Sequence, residues 1–136
     1  MPTKQQLADF LATEFPQTKV SVESAGGGRA TVRHAIGFEE LRPGGTVSGP
    51  VLMGIADVGL YVAILSEIGL ERDVATTSLN TNFLRMPSAD RDIIGECELL
   101  KLGRMLIVGE VSLFSEGSDK PVAHVVGTYA YLPSKQ

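Results

Sequence analysis

Tryptophan is absent from the 136 residues and cysteine occurs once, as Cys97. A single cysteine excludes an intramolecular disulfide and any zinc site built from several thiolates. Basic residues are outnumbered, 12 Lys and Arg against 16 Asp and Glu, for a formal net charge of -4. No Lys/Arg cluster interrupts that balance, so the basic face that grips nucleic-acid phosphates is missing. Histidine is nearly as scarce. His34 and His124 each fall in a strand pattern with no second His, Asp or Ser at ligand or triad spacing, so no metal site and no Ser-His-Asp triad is expected. Cys97 sits between Glu96 and Glu98, acids that raise a thiol pKa and argue against a nucleophilic role. The longest apolar run, residues 51–65, is broken by Asp57 and is short for a membrane span. The N-terminal Thr3, Lys4, Gln5 and Gln6 do not read as a secretory signal, and the expected location is the cytoplasm.

What is present reads as one domain over residues 1–136, with 43% hydrophobic and 21% charged residues, ordinary for a globular protein. Thr3 and Gln6 form a capping-box pattern ahead of Leu7, Phe10, Leu11 and Phe15, which fall at helical spacing until Pro16. Val20 and Val22, then Ala30 and Val32, alternate with polar neighbours on either side of Gly26, Gly27 and Gly28, the pattern of a hairpin. A glycine-rich loop over residues 36–49 leads to Pro50, suited to the first turn of a helix that should run to about Ile68 and stop at Gly69. Its apolar residues point in all directions, predicting a helix wrapped on every side, with Gly54 and Gly59 allowing a sheet to come close. Strands are expected over 76–84, 92–101, 105–115 and 122–131. This is an α+β order: one antiparallel sheet curled around one long central helix, the layout of the hot-dog fold. Such a sheet leaves strand edges bare, so a homodimer at least is expected, with dimer or tetramer left open.

Asp57 carries the functional argument. It is the only charged residue between Val51 and Ser66. An ionised carboxylate in an apolar setting costs several kcal/mol unless paired or solvated, so its presence needs a reason. Burial also raises a carboxylate pKa, favouring a group that takes up a proton or attacks directly. Just upstream, Gly49 stands where the helix begins and backbone N–H groups point outward. One oxyanion donor of that kind is worth roughly 2.7–4 kcal/mol. The two residues are about 12 Å apart along the axis at 1.5 Å per residue.

The stretch Ser48-Gly49-Pro50-Val51-Leu52-Met53-Gly54-Ile55-Ala56-Asp57 resembles the His-Gly-Gly…Ala-Asp segment of the PaaI-type thioesterases of phenylacetate degradation, which have the hot-dog fold. Thr76-Thr77-Ser78-Leu79-Asn80-Thr81-Asn82-Phe83-Leu84-Arg85 is similar to that family's second strand motif, and Gly103-Arg104 also fits; the similarity spans residues 38–131. The resemblance implies hydrolysis of an acyl- or aryl-CoA thioester without metal or organic cofactor. Asp57 would be general base or nucleophile, and the Gly49 amide would polarise the carbonyl. Thr76 or Thr77 would supply a hydroxyl that holds the attacking water from the partner subunit, in a site at the subunit interface. Two positions depart from the pattern: Ser48 replaces the family's His, and Pro50 its second Gly. Arg42 stands where relatives often hold Asn. Arg42, Pro50, Tyr61, Asn82, Arg85, Lys101 and Arg104 are the candidates for substrate and CoA contacts. The alternative is a hot-dog protein that binds an acyl-CoA or aromatic ligand without turning it over.

Overall fold

Local chemistry sets the first element as the sequence predicts. The Thr3 hydroxyl accepts from the Gln6 N–H at 3.1 Å and the Gln6 side chain accepts from the Thr3 N–H at 2.9 Å. The helix so capped, α1 (Lys4–Glu14), buries Leu7 and Leu11 and ends before Pro16. The hairpin β1 (Ser21–Gly26) and β2 (Arg29–His34) turns through Gly26, Gly27 and Gly28, all at positive φ, where a side chain would be strained. A 3-10 turn, Phe38–Glu40, leads to the long helix α2 (Gly49–Ile68). Four strands follow: β3 (Val74–Phe83), β4 (Ile93–Leu102), β5 (Leu106–Ser115) and β6 (Ala123–Tyr131). The computed structural model describes residues 1–132.

The strands form one antiparallel sheet in the order β1-β2-β4-β5-β6-β3, with α2 against its inner face. This is the hot-dog fold. Glycine lets helix and sheet approach at the centre: a Cβ on Gly109 or Gly127 would stand 2.6 or 2.9 Å from the methyls of Leu60, and one on Gly59 would stand 2.6 Å from the Cys97 sulfur. Gly54 does not share that role, since it is exposed and a Cβ there would meet nothing within 4 Å. Nor is α2 covered all round. Pro50, Gly54, Asp57 and Tyr61, three or four residues apart, form a stripe that the sheet leaves open, because one sheet can cover only one side of a helix. α2 is long and apolar enough to cross a membrane, but most of it is buried inside this protein as the core helix.

Candidate active site

Three elements converge on Asp57. It lies on the open stripe of α2, partly buried, at the stripe's margin with the start of β3 and the end of β6. Thr76 of β3 and Tyr129 of β6 are partners in the strand register, so their side chains emerge side by side on the inner face. Both hydroxyls donate to the same carboxylate oxygen: Thr76 Oγ1 to Asp57 Oδ1 at 2.8 Å, and Tyr129 OH to Asp57 Oδ1 at 2.8 Å. The Tyr129 hydroxyl also lies 3.3 Å from the Asp57 carbonyl oxygen. Tyr129 is 2% exposed. Its burial, then the Asp57 charge beside it, push the phenol well above its ordinary value of 10.0, so it stays a donor. Among the described residues no group donates to Oδ2, which leaves that oxygen without a protein partner.

The carboxylate is reachable. A cavity of about 220 Å³ is lined by Asp57, Thr76 and Tyr129 together with Phe15, Val58, Tyr61 and Val74. A second, of about 340 Å³, also reaches Asp57 and runs along α2 past Ile55 and Val51 to Lys19, His34 and Glu40. There the Lys19 ammonium bonds Glu40 Oε2 at 2.9 Å and the Gly37 N–H donates to Glu40 Oε1 at 2.7 Å. The Lys19 pairing holds the Glu40 carboxyl below its ordinary 4.5. His34 donates through Nδ1 to the Ala35 carbonyl at 2.7 Å and lines this cavity. A larger groove beneath α1, about 380 Å³, is lined by no ionisable side chain.

The start of α2 lies at the other end of the stripe. Ser48 caps it, its Oγ accepting from the Val51 N–H at 3.3 Å, and Pro50 has no N–H to give. Among the described residues the Gly49 N–H has no acceptor, so it is the free donor of that first turn. It opens on a third cavity, about 430 Å³, which also holds Phe83, Arg42 and Arg85. The Phe83 ring lies so close that a Cβ on Gly49 would come within 3.2 Å of it.

Of the other candidates, Thr77 faces away from the site and donates to the Thr128 carbonyl at 3.1 Å. Of the two threonines, Thr76 is the one whose hydroxyl meets Asp57 within the chain. Tyr61 shares the Asp57 cavity, but its hydroxyl donates to the Glu71 carbonyl at 2.8 Å and leaves the carboxylate alone. Arg42 does not brace Asp57; its Nη1 donates to the Pro43 carbonyl at 2.6 Å, while Arg85 Nη1 donates to the Pro121 carbonyl at 2.9 Å. Asn82 lies opposite His124 on the outer face of the sheet, and Lys101 and Arg104 are exposed at the β4–β5 hairpin. His124 pairs with Glu110 at 2.9 Å, far from the site in the fold. Cys97 is buried beneath α2, and burial, reinforced by Glu96, pushes its thiol up to about 12.

A family model described as Thioesterase superfamily matches residues 44–122, more than half of the chain and the whole span from the Gly49 loop to the start of β6. The chain belongs to the thioesterase superfamily. Comparison with curated proteins gives no match. Among solved structures, a Silicibacter protein with a provisional thioesterase name is 41% identical, with a TM-score of 0.87 over 96% of this chain and 92% of that one. PaaI, a phenylacetic acid degradation protein from Thermus thermophilus, is 24% identical (TM-score 0.74, 83% of this chain, 93% of that one). Zebrafish thioesterase superfamily member 2 is 22% identical (TM-score 0.85, 97% of this chain, 100% of that one). The last two share the fold.

Two features of this superfamily member escape the sequence reading. Tyr129 had a faint signal: Ala123, Val125, Gly127 and Tyr129 alternate inward on β6, and a buried tyrosine hydroxyl needs a partner. His34, set aside for want of a companion at triad spacing, stands in the cavity that reaches Asp57, brought there by the hairpin and the loop after it.

Proposed function

We propose that this thioesterase-superfamily protein hydrolyses an acyl-CoA thioester to the free acid and CoA, with Asp57 as general base or nucleophile. The observation that carries the reading is the carboxylate geometry: one oxygen held by Thr76 and Tyr129, the other bare and facing a cavity. Two hydroxyl donors fix the group's direction, and preorganisation of that kind is how a carboxylate keeps a water or carbonyl carbon in line. The free Gly49 amide is the proposed oxyanion donor, aided by the positive end of the α2 dipole. The chemistry calls for no metal and no cofactor beyond the CoA that leaves with the substrate. A cytoplasmic location goes with this reading, in keeping with a lone, buried cysteine.

Within one chain Gly49 and Asp57 open on different cavities, so the proposal includes a homodimer. β3 pairs with β6 on one side only, and its other edge is unpaired among the described residues. Two copies of β3 joined antiparallel would bring the Phe83 end of one against the Val74–Thr76 end of the other. The first end lies beside Gly49 and the second beside Asp57. The amide of one subunit then faces Asp57 of the partner subunit, so the separation of about 12 Å along one helix no longer keeps the two groups from acting on one thioester. Arg42 and Arg85, which line the cavity at the Gly49 end, are the proposed contacts for CoA phosphates, which Arg binds bidentately.

The test is thiol release from a panel of alkyl- and aryl-CoA esters. Release from at least one, at a rate saturable in substrate, is expected. Thermal stabilisation by CoA esters with no thiol release from any would reject hydrolysis in favour of ligand binding, a reading that the Ser48 and Pro50 departures motivate.

A further inference from the structure

The walls of the 220 Å³ cavity narrow the acyl group, an inference that rests on the hydrolase reading. Phe15, Val58, Tyr61 and Val74 give it apolar faces, and three hydroxyl-bearing side chains border it. Every one of those hydroxyl hydrogens is already committed. Tyr61 donates to the Glu71 carbonyl at 2.8 Å, and Tyr129 and Thr76 donate to Asp57 at 2.8 Å each. On the walls that this chain supplies, a carbonyl or carboxylate substituent on the acyl chain would find no free hydroxyl, and a carboxylate would also face the Asp57 charge. A buried acceptor without a partner loses its hydration for nothing. The size points the same way, since about 220 Å³ falls short of the roughly 300–1,000 Å³ of pockets that hold drug-sized ligands.

Phe15 marks the far limit. It caps α1, with its N–H donating to the Leu11 carbonyl at 2.8 Å, so its backbone is held in place. With Asp57 and Val58 it lines both the small apolar cavity and the 340 Å³ cavity that ends at Lys19, His34 and Glu40. Phe15 thus borders both spaces that touch the carboxylate. We infer that the site takes a compact apolar acyl group, a short alkyl chain or one unsubstituted ring, and that Phe15 sets the length limit by dividing the two cavities.

The experiment compares kcat/KM for butyryl-, hexanoyl-, decanoyl- and succinyl-CoA in the wild type, Phe15→Ala and Phe15→Leu. A pocket that lacks room for added methylenes discriminates by roughly tenfold or more. The wild type should therefore favour butyryl over both decanoyl and succinyl by at least that factor. Phe15→Ala should raise the decanoyl-to-butyryl ratio by roughly tenfold, with a smaller rise in Phe15→Leu. A wild-type profile flat with chain length, succinyl-CoA used as well as butyryl-CoA, or an unchanged ratio in both variants would overturn the inference while leaving hydrolysis standing. The wild-type profile and Phe15→Leu decide the matter even if Phe15→Ala unfolds. Absence of thiol release from every ester would instead remove the hydrolase reading on which the inference rests.

Discussion

Asp57 does two jobs that substitution can separate. It joins α2 to β3 and β6 through Thr76 and Tyr129, and in the proposed reaction it handles water or the thioester carbon. Asp57→Asn keeps a carboxamide oxygen where Oδ1 stands, so both hydroxyls retain an acceptor while the charge is lost. Asp57→Ala removes the acceptor. The buried Tyr129 hydroxyl is then left with only the backbone carbonyl at 3.3 Å, and an unsatisfied buried donor costs about 1–3 kcal/mol. For a domain of this size that is a fall of roughly 3–5 °C in Tm per kcal/mol. The general base is worth about 10²–10⁴ in rate. Asp57→Asn should therefore melt close to wild type and yet lose about 10²–10⁴ of kcat, and Asp57→Ala should lose both activity and several degrees. Differential scanning fluorimetry and a thiol-release assay on the same preparations read the two quantities. Wild-type turnover in Asp57→Asn would refute a catalytic carboxylate, and equal melting losses in the two variants would refute the hydrogen-bond account.

The helix start gives a second test. Ser48 has ψ 151°, which suits a following proline, and proline is favoured in the first helical turn. Gly49→Pro should then delete the amide donor and lower kcat by about 10²–10³, with some loss of Tm because the proline ring would press on Phe83. Gly49→Ala, which adds the same Cβ but keeps the N–H, should lose Tm without that fall in kcat. Asn80→Lys on the exposed edge strand would set like charges near each other across a β3–β3 two-fold axis, and sedimentation should show dissociation with loss of activity. Cys97, buried and with its thiol at about 12, should resist a thiol reagent in the native protein at pH 8 and react fully in denaturant; quick native labelling would contradict the burial. Glu40, held below 4.5 by Lys19, contributes stability that is complete above 4.5 and is lost as pH falls through its lower folded value. Glu40→Gln should thus melt below wild type at neutral pH, with the gap closing as pH is lowered past 4.5.

Features decided by neighbours in the chain were legible in the sequence. The Thr3 cap, the glycine turn, the start of α2 and the four late strands follow from capping, positive-φ chemistry and period-two patterns, and the structure places each within a residue or two. Asp57 was legible for the same reason, as an acid alone in an apolar run. The open stripe on α2 was not. Val51, Ile55 and Val58 line the cavities and are as apolar as the residues against the sheet, so apart from Asp57 and Tyr61 the composition of α2 carries little record of which side the sheet covers. Tyr129 was hidden by distance, since its meeting with Asp57 is set by the packing of β6 under a helix 72 residues earlier in the chain.

The choice between Thr76 and Thr77 shows how far alternation can mislead. Phe83 against Gly49 and Leu79 against Gly127 mark the inner face of β3. Counting back by twos from Phe83 passes through Thr81 and Leu79 and arrives at Thr77, not Thr76. A register shift between Thr76 and Ser78 breaks that count: Thr76 opposes Tyr129 while Ser78 opposes Thr128, so Thr77 is the extra residue of a β-bulge. The bulge turns Thr77 out to the Thr128 carbonyl and returns Thr76 to the inner face, beside Tyr129 and within 2.8 Å of Asp57. One inserted residue exchanges which hydroxyl faces the carboxylate, since a strand slipped by one residue presents its other face. Bulges gather where a side chain must be re-aimed, and this one sits at the single place on the strand where a hydroxyl meets the carboxylate.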